Sequence, residues 1–552
     1  MSKKSPALDP PFDHVDTGGP FSWESLFEFR QDFPECLHEP GVGVCVIGGG
    51  IAGLCASYEL YRRGYRVTLL ESSNRCGGRI FTHHFDDGTY GELGAMRLPV
   101  THQATLDYVE RFGLQTRPFI GANPNGFFFL QGQHGQVKFF GDKGADIAQE
   151  LKSAYPGLSL SVGDLCRSPF DLLLERVIYP VLRELTDEQR WSLFVNGGAD
   201  SELASWEAHT LRDFVTKKRL DSVRLNAEDW DYIARATGLL YLDSGTFAQF
   251  VLDLVPTLGT PMVEIVGGME QLPNAFLRRL RSEDITLGAK VIGLDVTDAG
   301  VAVRWKQEEE DVRERVFDFV ICTAPIKRLQ NIDIAPQDLE GLAEKREAWR
   351  QVQMEHLAKC LFHCDRRFWE SKYEIVGGKS FTDESIQQCY YPSDNGRRER
   401  RLSGANQWIP RDTEVPDHAG VFTAAYMWGD SAQRYARLED DERRTREVIA
   451  GVDRLHGCSE DDSVRSRIVK ARHHVWQEGF TYFRPGQQLR HQENMRKPIG
   501  DSSGSARIFF AGEHLGIIHG WILSSIVTSL AAVGGVIRAA NSEMGSGESR
   551  GS

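Results

Sequence analysis

The 552-residue chain has few cysteines for its length, ten in all, at 36, 45, 55, 76, 166, 322, 360, 364, 389 and 458. Cys360 and Cys364 are spaced C-x-x-x-C, which suits neither a redox C-x-x-C nor a paired zinc knuckle, so a disulfide scaffold and a metal site are not expected. There is no excess of positive charge. Lys+Arg 64 against Asp+Glu 78 leaves a net charge of −14, without the basic footprint of a nucleic-acid or anionic-membrane partner. The first residues, MSKKSPALDPPFDH, lack the apolar stretch of about 7–15 residues that a secretory signal needs. The expectation is a cytoplasmic protein, although a processed, secreted form would read the same way. Internal repeats are absent, and one long uncharged run exists, Leu515 to Ile537. Its four glycines, three serines, threonine and His519 point to a buried helix rather than a membrane span.

At 41% hydrophobic and 26% charged residues, the chain can bury a large core, and its length implies about two to four domains or one elaborated enzyme fold. Residues 1–40, rich in Pro and Gly, read as an irregular arm, and Phe21, Trp23 and Phe27 give it apolar groups with which to dock. From Gly41 the pattern becomes strand, helix, strand. Val291 to Arg304 and Arg315 to Thr323 also read as strands, so the class is α/β. Between about 140 and 260, apolar residues recur at helical spacing, as in Ser168 to Leu185, which predicts a helical insertion. The polar end from Asn541 has nothing to bury and is expected to be disordered.

The most specific local signal is VCVIGGGIAGLCASYELYRRGYRVTLLE. A strand runs into Gly48-x-Gly50-x-x-Gly53, a helical segment follows, and a second strand ends at Glu71. Gly48 allows the tight turn, Gly50 lets the backbone approach a pyrophosphate, and Gly53 lets helix and strand pack closely. The helix N-terminus faces the phosphate charge. Glu71 would bind adenosine ribose hydroxyls and repel a 2′-phosphate, which leaves FAD or NAD. Two glycines and two arginines in SSNRCGGR, Ser72 to Arg79, supply charge and close approach for the phosphates of FAD.

That string resembles the R-x-G-G-R of the flavin amine oxidase family, with Arg75, Gly77, Gly78 and Arg79 in its positions. Gly94-Ala95-Met96-Arg97-Leu98-Pro99 is similar to the G-x-M-R-[LI]-P segment of the L-amino acid oxidases within that family. Further matches follow in order. VGGMEQLP (Val266 to Pro273) resembles a turn into a helix, Ala289 to Ile292 a strand whose Val291 backbone meets adenine, and DFVICTAP (Asp318 to Pro325) the strand closing the cofactor domain. HLAKCLFHCDRRFW (His356 to Trp369) resembles the segment whose lysine, here Lys359, holds a water against flavin N5. Tyr390-Tyr391-Pro392 resembles the Y-Y-P of venom-type L-amino acid oxidases, whose second tyrosine, here Tyr391, shares the substrate carboxylate with Arg97. GFTYFRPGQ (Gly479 to Gln487) puts Phe480 in the side-chain pocket. FAGEHLGIIHGW (Phe510 to Trp521) resembles the A-G-E…H-[GA]-W signature, with Leu515-Gly516 standing where many relatives have Thr-Ser.

The resemblance, over about residues 41–540, implies a Rossmann-type FAD domain, a mixed-sheet substrate domain and a helical insertion, as in the glutathione-reductase-2 and amine-oxidase-like folds. It divides the chain into an arm docking on the substrate domain (1–40), FAD-binding segments (41–98, 261–330, 486–540), substrate-binding segments (99–139, 331–485), a helical domain (140–260) and a tail (541–552). It implies cofactor contacts from Gly48, Gly50, Gly53, Glu71, Arg79, Gly94, Met96, Arg97, Val291, Glu513, Trp521 and Ile522. Glu513 would bond the ribityl or pyrophosphate region, the Gly520 carbonyl would accept from the substrate amine, and Trp521 would flank the cavity. The nearest cysteine to the flavin-linking position is Cys458, so non-covalent FAD is expected.

The implied reaction is oxidation of an L-amino acid by hydride transfer from Cα to flavin N5. Its products are a 2-oxo acid, ammonia and, from dioxygen, H2O2. Arg97, Tyr391 and Lys359 would be the catalytic set. An α-amino acid calls for a guanidinium making a bidentate pair with its carboxylate, a need that simple amines do not have. Phe480 and Trp521 favour bulky hydrophobic or aromatic side chains, or a broad set. Glu207 in the helical insertion could instead admit Arg or Lys, and His209 is either pocket wall or surface. An amide-forming amino-acid 2-monooxygenase, an amine oxidase and a non-catalytic flavoprotein scaffold are the rivals. No nucleic-acid or membrane partner is expected, and a homo-oligomer, dimer or higher, is.

Overall fold

A computed structural model of the protein describes residues 33–36, 41–137, 140, 144–186, 189, 204–217, 225–254, 257, 260–297, 299–307, 311–336, 339–400, 406–412, 417–486, 488–501 and 504–548. Phe21, Trp23 and Phe27 lie outside these residues.

Strand β1 (Gly43–Ile47) is buried at every position, which requires cover on both faces. It sits inside a six-stranded sheet, parallel to β2 (Arg66–Leu70) on one side and to Phe319–Cys322 on the other, with Val44 opposite both Val67 and Phe319. Ile285–Thr286 extends the sheet beyond β2, while Ala506–Phe510 and the antiparallel Ile499–Gly500 extend the opposite edge. Segments hundreds of residues apart thus build one sheet. The helix α1 (Ile51–Tyr61) crosses from β1 to β2 and buries Leu54, Cys55 and Leu60 in the same core.

From Gly144–Ala154 to α2 (Phe247–Leu254) the described elements are helical. Their starts are written locally: Ser161, Ser168, Thr210 and Asn226 each accept a hydrogen bond from the backbone N–H three residues on, satisfying amides that a helix start leaves bare. Their apolar faces meet around Leu173, Trp230 and Phe247.

A second, seven-stranded sheet has β3 (Val352–Cys364) between β4 (Gly420–Trp428) and β5 (Ile468–Phe483), all antiparallel. Beyond β4 follow Gln388–Tyr390, Lys379–Thr382, Phe127–Leu130 and Gln133–Gln136. Lys359 lies on β3, opposite Tyr426 of β4 and His474 of β5.

The uncharged run near the end forms most of α3 (Ile522–Glu548), long and apolar enough by composition to cross a membrane but mostly buried against α1 and the first sheet. One expectation is corrected. The segment from Asn541 is not disordered over its described part: α3 continues to Glu548, because Asn541 Nδ2 donates to Glu35 O at 2.8 Å and Glu543 pairs with Arg507 at 2.6 Å. Docking of the arm on the substrate domain falls on residues that are mostly outside those described, Phe21, Trp23 and Phe27 among them. Phe33 packs on the first-sheet core beneath the Arg63 guanidinium, 3.8 Å from the ring centre.

Candidate active site

At the end of β1 the chain turns through Gly48 with φ +103°, a conformation that glycine tolerates and side chains rarely adopt. Gly53 is required by proximity, since a Cβ there would lie 1.8 Å from Gly48 O. No side chain caps the N-terminus of α1. Beside it a Cβ on Gly50 would meet only Gly78 Cα, at 3.9 Å, so this helix start faces open space. Glu71, at the end of β2, accepts from Gly49 N at 2.6 Å and Ser73 N at 2.7 Å, and Ala289 N, two residues before Val291, donates to Glu71 O at 2.8 Å. An open glycine cradle, an uncapped helix N-terminus and a carboxylate at the strand end fit the ADP half of FAD.

Glu513 joins this cradle to the second sheet. Its carboxylate accepts from Arg79 Nη1 at 3.0 Å, from Thr481 N and Oγ1 at 3.1 and 2.9 Å, and from Gly520 N at 2.8 Å. Burial alone would raise the Glu513 acid; the Arg79 guanidinium, His519 and the Gly520 and Thr481 amides outweigh it and hold the acid at about 2. The residue therefore stays ionised and ties three segments of the site together.

The half-buried Arg97 lies among rings, with its guanidinium carbon 5.5 Å from the Phe119 and Tyr390 ring centres and 5.8 Å from that of Trp521. Among the described residues it has no carboxylate partner; its hydrogen bond runs from Nη1 to Tyr390 Oη at 3.3 Å. Lys359 is fully buried beside it. Its Nζ donates to Gly94 O at 2.7 Å, Glu92 O at 3.2 Å and Met96 Sδ at 3.3 Å, and lies 4.6 Å from the Tyr426 ring centre. Burial pushes the lysine down, with the Glu92 carboxylate opposing, and burial pushes the Glu92 acid up against its bonds from Met269 N and Thr82. The Lys359 ammonium is thus held by backbone carbonyls, while the Glu92 carboxylate turns to Thr82 and Met269 N.

An aromatic wall continues away from Arg97. Tyr426 meets Trp428 at 4.6 Å between ring centres, Trp428 stacks on Tyr241 at 5.0 Å, and Phe480 abuts both at 5.2 and 5.5 Å. Phe480 also approaches Gly520, whose added Cβ would lie 4.0 Å from Phe480 Cβ. Ile522, the first residue of α3, is buried below Trp521 in sequence order. A cavity of about 380 Å³ lies behind Tyr390, lined by Glu92, Met96, Arg117, Phe119 and Glu264 among others; a larger one, about 1020 Å³, runs along α3 away from Arg97.

Tyr391 is a correction. Its hydroxyl, expected beside Arg97, instead bridges Ser380 Oγ and His456 Nε2, both at 2.7 Å, inside the core of the second sheet. Tyr390 ends the strand Gln388–Tyr390 and faces the arginine, while Tyr391, the residue after it, turns to the opposite side. Glu207 is buried with its carbonyl accepting from Gly486 N, and the carbonyl of His209 accepts from Phe247 N. Among the described residues of the helical domain, Tyr241 reaches the aromatic wall. Phe119, Tyr241, Tyr426, Trp428 and Glu92, and the role of Tyr390, are not marked by any motif, because these six residues come from five separate segments, Tyr426 and Trp428 sharing β4.

A family model described as "Flavin containing amine oxidoreductase" matches residues 51–529. The flavin-dependent L-tryptophan oxidase RebO of Lentzea aerocolonigenes is 28% identical over 503 residues, 89% of this chain and 97% of that one. An L-amino-acid oxidase of Vipera ammodytes ammodytes is 27% identical over 507 residues, 90% and 93% respectively. Among solved structures, cyclohexylamine oxidase from Brevibacterium oxydans IH-35A superposes with a TM-score of 0.62 at 14% identity, covering 90% of this chain and 99% of that one. At that identity the likeness concerns the fold.

Proposed function

Because this chain belongs to the flavin containing amine oxidoreductase family, we propose that it is an FAD-dependent L-amino acid oxidase, and that it favours bulky aromatic or hydrophobic side chains. The single observation that carries the reading is Arg97, a guanidinium in an aromatic cleft without an acidic partner among the described residues. A half-buried guanidinium among aromatic rings without a counter-charge is costly, and a substrate carboxylate would supply that charge as a charge-assisted, bidentate pair. A plain amine has no group for it. The relatives whose names specify an L-amino acid or L-tryptophan as substrate support the same reading.

When bound, FAD supplies the acceptor for the Cα hydride and the route by which dioxygen becomes H2O2. The chain supplies position. Arg97 holds the carboxylate, Tyr390 Oη orients the guanidinium, and the wall of Tyr426, Trp428, Tyr241 and Phe480 takes the side chain. Fixing the amino acid at both ends brings Cα to one place, the entropic part of the rate gain. Lys359, held by the Gly94 and Glu92 carbonyls, keeps a buried nitrogen at the floor of the site, where it would hold a water near the cofactor. The substrate amine reacts as the neutral base, so no side-chain base is needed for its Cα–H.

Product analysis tests the reaction type. Stoichiometric 2-oxo acid, ammonia and H2O2 from an aromatic L-amino acid is the expected result; an amide with loss of CO2 would assign the monooxygenase reaction instead.

A further inference from the structure

The helical domain holds part of the loop that carries Gly520 and Trp521. Asp253, near the C-terminal end of α2, accepts through Oδ1 from His519 N at 2.6 Å and from Gln249 Nε2 at 2.7 Å. The His519 ring folds toward the same oxygen, with Nδ1 at 3.6 Å, and Gln249 also donates to Ile517 O at 3.4 Å. The next amide, Gly520 N, donates to Glu513. Two consecutive peptide groups are therefore held by two carboxylates from different parts of the chain. Gly520 then turns with φ +76°, and Trp521 comes to rest beside Arg97 and, edge-on, beside the buried His102 at 5.2 Å.

A charge at position 253 has no counterpart in the packing of α2, whose buried residues, Phe247, Ala248, Phe250, Val251 and Leu252, are apolar apart from Gln249. Desolvation pushes the Asp253 acid up, opposed by His519. A half-buried carboxylate against apolar side chains is costly unless its hydrogen bonds are organised, and here Oδ1 accepts from the loop and from the glutamine that also holds it.

We propose that Asp253 is a positioning residue for substrate binding: from the helical domain it fixes the Ile517–Trp521 loop so that Trp521 stands against Arg97. The helical domain then belongs to the carboxylate site as well as to the side-chain pocket. This rests on the reading of Arg97 as the carboxylate ligand. Asp253 touches neither the substrate nor the reacting atoms; it acts through two peptide bonds and a tryptophan.

The test uses the holoenzyme, with benzoate as carboxylate probe titrated against flavin absorbance and the visible circular dichroism of the flavin as a report of its surroundings. Asp253→Ala should weaken benzoate at least tenfold, raise KM more than it lowers kcat, and alter the flavin dichroism. Asp253→Asn, which keeps an acceptor for His519 N, should recover most of the benzoate affinity. Gln249→Leu should weaken benzoate severalfold, and it carries the test if the alanine variant does not accumulate. Benzoate affinity and flavin dichroism at wild-type values in both Asp253→Ala and Gln249→Leu would overturn the proposal. So would equal losses in the alanine and asparagine variants. Benzoate binding unchanged in Arg97→Ala would instead remove the carboxylate reading, while the dichroism of Asp253→Ala would still report whether the loop had moved.

Discussion

Replacing Tyr390 and Tyr391 by phenylalanine, one at a time, should give opposite signatures. Tyr390→Phe removes the hydroxyl that accepts from Arg97 at 3.3 Å but keeps the ring 5.5 Å from the guanidinium. Hydrogen bonds to charged groups contribute about 1.5–3 kcal/mol, and this one is longer than the usual charge-assisted distance, so the low end applies. About 1.5 kcal/mol corresponds to roughly a tenfold fall in kcat/KM, with little change in thermal stability. Tyr391→Phe removes two buried 2.7 Å bonds, leaving His456 Nε2 without this partner while Ser380 Oγ still accepts from Phe127 N. That costs about 1–3 kcal/mol of stability and leaves kcat/KM within about twofold. Steady-state rates with an aromatic L-amino acid and thermal unfolding of both holoenzymes check this. A tenfold loss of kcat/KM in Tyr391→Phe beside an unaffected Tyr390→Phe would refute the assignment of the two faces.

Other perturbations follow from the same geometry. Gly53→Ala should abolish flavin retention, because its Cβ would lie 1.8 Å from a backbone oxygen; a variant that purifies yellow, with the usual flavin band near about 450 nm, would count against the cradle. Glu513, held at about 2 against an ordinary 4.5, binds its proton first in the unfolded chain, so its contribution of roughly 3 kcal/mol is present above pH 4.5 and is lost as pH falls toward 2. Glu513→Gln should therefore lose stability near neutrality and show a flatter acid limb in denaturant unfolding. The rate should rise from about pH 6 to about pH 9 as the substrate ammonium deprotonates; a flat profile would show that the chain supplies its own base.

The legible parts of the sequence were those whose physics is local. The β1–α1–β2 unit announces itself because turn, close packing and helix N-terminus all need glycine within six residues. Lys359 stood out because a lysine in an apolar strand must find polar partners, which prove to be the carbonyls of Glu92 and Gly94. Arg97 was visible through its motif, but its surroundings were not: Phe119, Tyr390, Tyr426, Trp428 and Tyr241 converge from distant strands and a helix. Which of Tyr390 and Tyr391 faces the site depends on strand register, and a one-residue difference inverts the answer. The continuation of α3 to Glu548 rests on contacts with Glu35 and Arg507, which composition does not reveal.

The most direct measurement is an anaerobic absorbance titration of the holoenzyme with a panel of L-amino acids and their decarboxylated amines, repeated with Arg97→Ala. The account predicts that aromatic L-amino acids bleach the flavin band, that the amines do not, and that bleaching is lost in the variant. Bleaching by amines but by no amino acid, or bleaching by amino acids undiminished in Arg97→Ala, would contradict it.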